Sequence, residues 1–272
     1  ERRTEKILTI GRPNPRQREF LACEKKYVAF GGARGGGKSW AVRCKAKLLA
    51  LRYAGIRILL VRRSLAELEA NHLAFLRQEL ADVAEYRAGE RQFRFCNGSV
   101  LQFGYCGCDR DLDRYQGAEY DVIFLDEATQ LKEQWMRQIA ACVRGVNDFP
   151  KRIYYTCNPG GPGHGYIKRL FIDRRFEGGE QPEDYAFIPA RVTDNVALLA
   201  RQALAARGQV NASTLVEEYP NDFTGIIGLH TYSQSPHREY DITMTGNWVE
   251  RGGFRFEDFV LTRRKEENDG ND

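Results

Sequence analysis

Residues 29–40 read AFGGARGGGKSW, and this glycine-rich stretch decides how the rest of the chain is interpreted. The run KYVAFGG that leads into it is short and apolar, which predicts a buried strand. After the glycines, Ala41, Cys44, Leu48 and Leu51 recur at spacings of three and four, which predicts one apolar face of a helix. Glycine has no Cβ and lets the backbone approach another group closely. A strand, a glycine loop and a helix in this order therefore predict a loop that wraps around a ligand.

The loop has the spacing of a phosphate-binding loop, because four residues separate Gly32 from Gly37, Lys38 and Ser39. Backbone N–H groups and the start of the following helix would face phosphate oxygens, Lys38 would lie near the β and γ phosphates, and Ser39 would bind Mg²⁺. The alternative is a flexible turn that happens to end in Lys and Ser, and the flanking strand and helix argue against it. The predicted nucleotide-binding residues of the loop are Gly32, Ala33, Arg34, Gly35, Gly36, Gly37, Lys38 and Ser39.

A second apolar run, VIFLDE, predicts a buried strand that ends in two carboxylates. Asp126 is placed to hold the hydration shell of Mg²⁺, and Glu127 to polarise an attacking water. Two acids at an ordinary helix start are the alternative, which the upstream phosphate loop makes less favourable. Together the two motifs predict a Mg²⁺-dependent nucleoside triphosphatase.

The first 195 residues alternate short apolar runs with longer amphipathic ones, which predicts an α/β fold with a mostly parallel sheet flanked by helices. Ser64, with Glu67 three residues later, predicts the start of a helix that runs to about Asp82. Residues 91–106 alternate apolar and polar side chains on both sides of Asn97 and Gly98, which predicts an antiparallel hairpin. After residue 195 the pattern weakens.

Two further stretches contain polar residues whose role the sequence leaves open between a functional and a structural interpretation. Gln17 in NPRQREFL could read the adenine edge, although a glutamine on a solvated helix is equally consistent with the sequence. Thr156 and Asn158 in YYTCNPGG could sense the γ-phosphate and pass its loss to the following loop, but alone they would indicate only a turn.

Composition limits the class of protein without identifying it. The 272 residues include 41 Lys and Arg against 37 Asp and Glu, so any basic surface must be local. Seven scattered cysteines favour reduced thiols, and no stretch has the pattern of a secretion signal or a membrane span. Five basic residues could touch DNA phosphates or merely lie on solvated faces: Arg43, Lys45, Lys47, Arg62 and Arg63.

Six segments occur in a fixed order: NPRQREFL, GGARGGGKS, FRFCNGSVLQF, RYQGAEYDVIFLDEA, YYTCNPGG and TGNWVERGGF. This set closely resembles the large terminase subunit of tailed bacteriophages, over roughly residues 13–195 and in outline over 240–256. Two departures are that Val196 follows Asp194 and Asn195, where the family usually has proline, and that residues 200–240 do not match cleanly.

The resemblance implies a P-loop NTPase of the additional-strand catalytic-glutamate type with a small C-terminal lid region, and ATP and Mg²⁺ as cofactors. The roles carried over are Gln17 for adenine, Lys38 and Ser39 for phosphate and Mg²⁺, Asp126 as metal ligand, Glu127 as catalytic base, and Thr156, Cys157 and Asn158 as the coupling motif. The family typically has a cation inside the phosphate loop, where this chain has Arg34. A second candidate for the arginine that completes the site is Arg114 in DLDRYQG, acting from a neighbouring subunit.

The function implied is an ATP-driven motor that moves double-stranded DNA into a procapsid in the cytoplasm of an infected bacterium. Its partners would be DNA, the portal protein and the small terminase subunit, with no membrane. It would form a homo-oligomeric ring on the portal and a monomer in dilute solution. The alternatives are a helicase- or recombinase-like motor and a nucleotide-gated assembly protein.

The predicted domains are a P-loop ATPase core over residues 1–195, a lid or linker over 196–250, and the start of a linker with a disordered tail over 251–272. Large terminases normally continue into a nuclease with an acidic two-metal cluster. Glu257 and Asp258 alone cannot frame such a site, so we expect an isolated motor domain without nuclease activity.

Overall fold

The computed structural model describes residues 13–32, 35–191 and 194, together with the backbone of 240–249 and 253–263. Eight strands form one sheet and two more form a separate pair. In chain order the strands are β1 (Tyr27–Gly32), β2 (Arg57–Arg62), β3 (Ala84–Arg87), β4 (Gln92–Phe95), β5 (Val100–Tyr105), β6 (Val122–Leu125), β7 (Arg152–Cys157), β8 (Tyr185–Ala190), β9 (Tyr240–Val249) and β10 (Gly253–Arg263).

The order of strands across the large sheet is β3-β4-β5-β2-β6-β7-β1-β8. The six strands from β5 to β8 run parallel, and β3 and β4 are antiparallel additions at one edge. The prediction of a mostly parallel sheet is confirmed. Strand β7 lies between the strand before the phosphate loop, β1, and the strand before the two carboxylates, β6, and so is the additional strand of the predicted type.

Helices cover both faces of this sheet, which explains why the inner strands are apolar along their whole length. The α-helices are α1 (Pro15–Ala22), α2 (Lys38–Arg52), α3 (Leu65–Leu68), α4 (Ala74–Glu79), α5 (Glu133–Ala140) and α6 (His164–Ile167). On one face, four apolar residues in and beside α5 are all buried: Leu131, Trp135, Ile139 and Cys142. On the other face, the rings of Phe20 and Phe30 stack at a centroid distance of 4.9 Å.

The predicted hairpin is present as β4 and β5, in antiparallel register with Phe93 opposite Leu101. Asn97 supports the turn twice: its side-chain oxygen accepts from the Ser99 N–H at 3.1 Å, and its amide donates to the Ala50 carbonyl at 2.8 Å. Strand β3, which the sequence pattern did not single out, pairs with the outer side of β4.

The helix predicted to begin after Ser64 has a π-helical turn in its middle. The Ser64 hydroxyl accepts from the Glu67 N–H at 3.3 Å, so the predicted start is confirmed. The turn Glu69–Leu73 then separates α3 from α4, and the helix ends at Glu79 rather than near Asp82. A turn of this kind contains an extra residue and changes which side chains face the core.

Contacts divide the chain into two compact units, of which one is Pro13–Asn195 with Val249–Phe254 and the other includes most of β9 and β10. The predicted lid, 196–250, lies outside the described residues apart from β9. Strand β10 falls within the segment assigned to the tail, and 264–272 is not described. The division into core, lid and tail stays a prediction.

No helix in the described part of the chain is long and apolar enough to cross a membrane. All seven cysteines lie in that part, and all are free thiols.

Candidate nucleotide site

The phosphate loop connects the carboxyl end of β1 to the start of α2, as predicted. Gly37 caps the helix with φ +71°, a conformation that side chains rarely adopt. The prediction for Ala33 and Arg34 falls outside the described residues.

Gln17 is buried, with 5% of its surface exposed, so the alternative of a solvated helix position is wrong. Its side-chain oxygen Oε1 accepts from the Asn14 N–H at 2.8 Å, while the Asn14 side-chain oxygen accepts from the Gln17 N–H at 2.8 Å, which caps α1. Its amide nitrogen donates to the Gly37 carbonyl at 3.1 Å. Gln17 thus joins α1 to the phosphate loop, and its contact with adenine stays a prediction.

Lys38 starts α2 and directs its ammonium group to the end of β7, where it donates to the Asn158 Oδ1 at 2.8 Å. Burial lowers the pKa of Lys38, and the nearby Cys157, Asp126 and Glu127 oppose that effect. A buried cation among these groups is suited to an anionic ligand.

Asp126 is fully buried, and both of its carboxylate oxygens have protein partners. Oδ1 accepts from the Thr156 hydroxyl at 2.6 Å. Oδ2 lies 2.8 Å from His72 Nε2, 2.9 Å from Arg62 Nε and 3.4 Å from the Ser39 hydroxyl. Burial alone would raise the pKa of Asp126, but His72, Arg62 and Thr156 bring it well below its usual range. These contacts favour the ionised form of the Asp126 carboxylate.

Glu127 follows with φ +53°, an uncommon conformation for a residue with a side chain. Its N–H donates to the Thr156 hydroxyl at 2.8 Å, and its Oε1 lies 2.8 Å from Arg62 Nη2. The side chain is 36% exposed, whereas that of Asp126 is not exposed at all. Of the two carboxylates, only Glu127 can reach solvent water.

The predicted coupling residues at the end of β7 connect the two motifs. Thr156 bonds to both carboxylate residues, and Asn158 holds Lys38. The Asn158 carbonyl accepts from the Thr129 hydroxyl at 2.9 Å, and the Thr129 carbonyl accepts from the Gly163 N–H at 2.9 Å. Cys157 is buried with its Sγ against Gly31, where it leaves no space for a Cβ. The segment after Glu127 is therefore tied to the glycine loop that follows β7.

Four of the five basic residues considered for DNA contact are buried, so that hypothesis is wrong for them. Arg43 and Lys47 pair with the buried Glu79, and Lys45 donates to the carbonyls of Leu21 and Cys23 at the end of α1. Arg62, the fourth, contacts the two carboxylates of the site. Only Arg63 is exposed.

Arg114 lies apart from the phosphate loop, in the 3₁₀ turn Asp109–Tyr115 that follows β5. Its side chain is 46% exposed, pairs with Asp111 at 3.1 Å and lies 4.0 Å from the ring centroid of Tyr105. Strand β5 is four positions from β1 in the sheet, a separation of about 19 Å at the usual strand spacing of about 4.8 Å. The structure does not bring Arg114 into the site of its own chain.

The oxygen donors fit Mg²⁺, which prefers carboxylate, hydroxyl, phosphate and water ligands in place of a dedicated protein cage. The Ser39 hydroxyl and the Asp126 carboxylate, 3.4 Å apart, are of the right type and lie beside the phosphate loop. Within the described ranges no group of three or more His, Cys, Asp and Glu residues could hold a metal ion by itself.

Two site residues were not predicted as such from the sequence. His72 was not singled out, and Arg62 was considered only for contact with DNA. Each lies far along the chain from Asp126, and neither belongs to the phosphate-loop or carboxylate pattern. The one available signal for Arg62 was its place at the end of a buried strand next to the strand of Asp126.

The profile of the family described as "Terminase large subunit, T4likevirus-type, N-terminal" matches residues 29–257 of this chain. A search of curated proteins found no match.

The solved structures that are similar in fold include three large terminases. The large terminase of a thermophilic bacteriophage, in complex with ADP, gives a TM-score of 0.57 at 15% identity, covering 70% of this chain and 49% of that chain. The ATPase domain of the Thermus phage P74-26 large terminase gives 0.54 at 15% identity, covering 77% and 93%. The HK97 bacteriophage large terminase gives 0.50 at 11% identity, covering 86% and 52%. This chain spans about half the length of the first of these three proteins, and the likeness shows the fold.

Proposed function

This chain belongs to the T4-like type of terminase large subunits, matching the N-terminal part, and on that premise we propose that it is an ATPase that drives double-stranded DNA into a procapsid. One observation carries the proposal. Lys38, Ser39, Asp126, Glu127 and Asn158 meet at the carboxyl ends of adjacent strands, where Lys38 donates to Asn158, Ser39 faces Asp126, and Thr156 joins Asp126 to Glu127. Nucleotide sites in α/β sheets lie at this position.

Each residue has a distinct part in the proposed reaction. The loop N–H groups and Lys38 bind the phosphates, and Ser39 and Asp126 would hold Mg²⁺. Bound Mg²⁺ would neutralise charge on the β and γ phosphate oxygens. Glu127 accepts the proton of the attacking water; its Oε1 is paired with Arg62, and its side chain is 36% exposed.

Support for ATP as the substrate comes from the large terminase of the thermophilic bacteriophage that was solved both with ADP and with ATP-gamma-S. The hydrogen bonds among Thr156, Thr129, Asn158 and Gly163 support a path by which loss of the γ-phosphate moves the glycine loop after β7. Gln17 is proposed to read adenine from its position beside Gly37. Assembly on a portal with a small subunit, in the cytoplasm of an infected bacterium, forms part of the proposal, and family membership supports it.

The test is ATP turnover by the purified chain with Mg²⁺, with and without double-stranded DNA. We expect measurable turnover that Lys38→Ala abolishes, since the buried ammonium beside the phosphates is lost. Lys25→Ala, at an exposed lysine just before β1, is the matched control and should turn over ATP like the wild type. No turnover by the wild type, or equal turnover by Lys38→Ala, would overturn the proposal.

A further inference from the structure

His72 is a fully buried histidine in direct contact with the carboxylate of the nucleotide site. Its Nε2 lies 2.8 Å from the Asp126 Oδ2, although the two residues are 54 positions apart in the chain. Its Nδ1 is buried and has no hydrogen-bond partner among the described residues. Among the described residues, the hydrogen-bond partner of the imidazole is therefore Asp126.

The backbone at His72 is unusual in a way that serves this contact. His72 lies in the π-helical turn Glu69–Leu73, and such turns are rare and often occur at functional sites. Arg43 holds the turn from outside, because its guanidinium donates to the Asn71 carbonyl at 2.6 Å. Within the turn, the Asn71 side-chain amide donates to the Glu67 carbonyl at 2.8 Å. The extra residue of the turn changes the direction in which His72 leaves the helix axis, and this direction brings the imidazole to Asp126.

The contact has a defined direction. The Arg62 guanidinium 2.9 Å from the same oxygen favours an ionised Asp126, and an ionised carboxylate only accepts hydrogen bonds, so we assign the Nε2 of His72 as the donor. The oxygen that it holds, Oδ2, is also the one that faces the Ser39 hydroxyl at 3.4 Å. Thr156 holds the other oxygen at 2.6 Å, so the carboxylate is fixed at both ends.

We propose that His72 is a positioning residue for Mg²⁺: through its Nε2–H it orients the Asp126 carboxylate toward the metal position beside Ser39. The proposal rests on the proposed nucleotide site. His72 is fully buried and acts through Asp126. Groups that orient a metal-binding carboxylate contribute to metal affinity even without touching the metal.

A matched pair of variants separates the hydrogen bond from packing. In His72→Gln the side-chain amide nitrogen is as many bonds from the backbone as Nε2 and can still donate to Oδ2. In His72→Met the chain has similar length and volume but no donor. The readout is the Mg²⁺ concentration that half-saturates the binding of a fluorescent ADP analogue, with affinity in EDTA measured alongside.

We expect His72→Gln to have the Mg²⁺ requirement of the wild type. His72→Met should need at least about 10-fold more Mg²⁺, which is the usual loss when such a partner is removed. The affinity for the ADP analogue in EDTA should change little in either variant. Leu73→Ala, on the same π turn, controls for lost packing and should keep the wild-type Mg²⁺ requirement. If His72→Met does not fold, His72→Asn replaces it, because its shorter amide cannot reach Oδ2.

The inference is overturned if His72→Met, or its replacement, has the wild-type Mg²⁺ requirement, or if the Gln and Met variants shift equally. A wild-type chain that binds no nucleotide would instead contradict the proposed function. The two failures are therefore distinguishable.

Discussion

The guanidinium of Arg62 lies 2.8 Å from the carboxylate of Glu127. The same guanidinium lies 2.9 Å from the fully buried Asp126, and its Nη1 donates to the Glu67 carbonyl at 3.2 Å. Arg62 is 3% exposed, so its charge is balanced almost entirely by the two acids of the site. The candidate base and the candidate metal ligand therefore share one cation.

Replacing Arg62 by methionine should destabilise the fold and reduce ATP turnover. Removal of one partner leaves the Asp126 charge buried with less compensation, which typically costs about 3–5 kcal/mol. The measurement is the free energy of unfolding in urea, with turnover measured in parallel. Arg63→Met, at the exposed neighbour, should stay within about 0.5 kcal/mol of the wild type. Equal stability of the two variants would show that the Arg62 pairings contribute little.

Glu127→Gln should bind ATP with near wild-type affinity and hydrolyse it slowly. The amide keeps the shape of the side chain but cannot accept a proton, a loss of roughly 10²- to 10⁴-fold in rate. Single-turnover hydrolysis and equilibrium binding of an ATP analogue separate the two effects. Glu119→Gln, at an exposed glutamate before the same strand, is the control. Hydrolysis at the wild-type rate by the Glu127 variant would assign the base to another residue.

The stability contributed by Lys45 should increase with pH. Burial, helped by the nearby Arg152, lowers its pKa to about 7 from the ordinary value of 10.5. Between these values the unfolded chain binds more protons at this side chain than the folded chain does, so folding becomes more favourable as the pH rises, by at most about 1.4 kcal/mol per pH unit.

The check compares the wild type with Lys45→Met by urea unfolding at pH 7, 8.5 and 10. The difference between the two proteins isolates Lys45 from the other titrating groups. We expect it to shift in favour of the wild type from pH 7 to pH 10. A difference that does not change with pH would contradict the lowered pKa.

Arg114 should act on the nucleotide of a neighbouring subunit. Its distance from its own phosphate loop and its exposed position on the Tyr105 ring both fit a role in trans. A cation beside the transferring phosphoryl group can contribute roughly 10³- to 10⁵-fold in rate. Isolated chains should therefore hydrolyse ATP slowly, with turnover per subunit increasing with protein concentration.

Mixing variants gives the direct measurement. Arg114→Ala subunits keep an intact phosphate loop and should regain turnover when mixed with Lys38→Ala subunits, which still carry Arg114. Arg110→Ala, at an exposed arginine of the same 3₁₀ turn, should behave as the wild type. Full turnover in dilute monomer, or absence of rescue together with an inactive Arg34→Ala, would place the arginine in cis at Arg34.

Local sequence patterns were sufficient for most of the fold. The apolar runs before Gly32 and Asp126 predicted β1 and β6, the Asn97 and Gly98 pair predicted the hairpin, and Ser64 predicted the start of α3. Each of these features depends on a few consecutive residues, so its physical cause is visible in the sequence. The π turn was not predicted, because one extra residue in a helix cannot be recognised from the spacing of its apolar residues.

The sequence by itself determined the chemistry of the loop and of the two carboxylates, because strand, glycines, Lys38 and Ser39 are contiguous, as are Asp126 and Glu127. Only the tertiary structure decided what surrounds them. It buried Arg62 and His72 against Asp126 and engaged Gln17 with Gly37, although charge and polarity alone favoured solvent for such side chains. The physical reason is that a buried charge is stable only beside a partner, and the partners here come from strands and helices that are distant in the chain and become neighbours only when the sheet assembles.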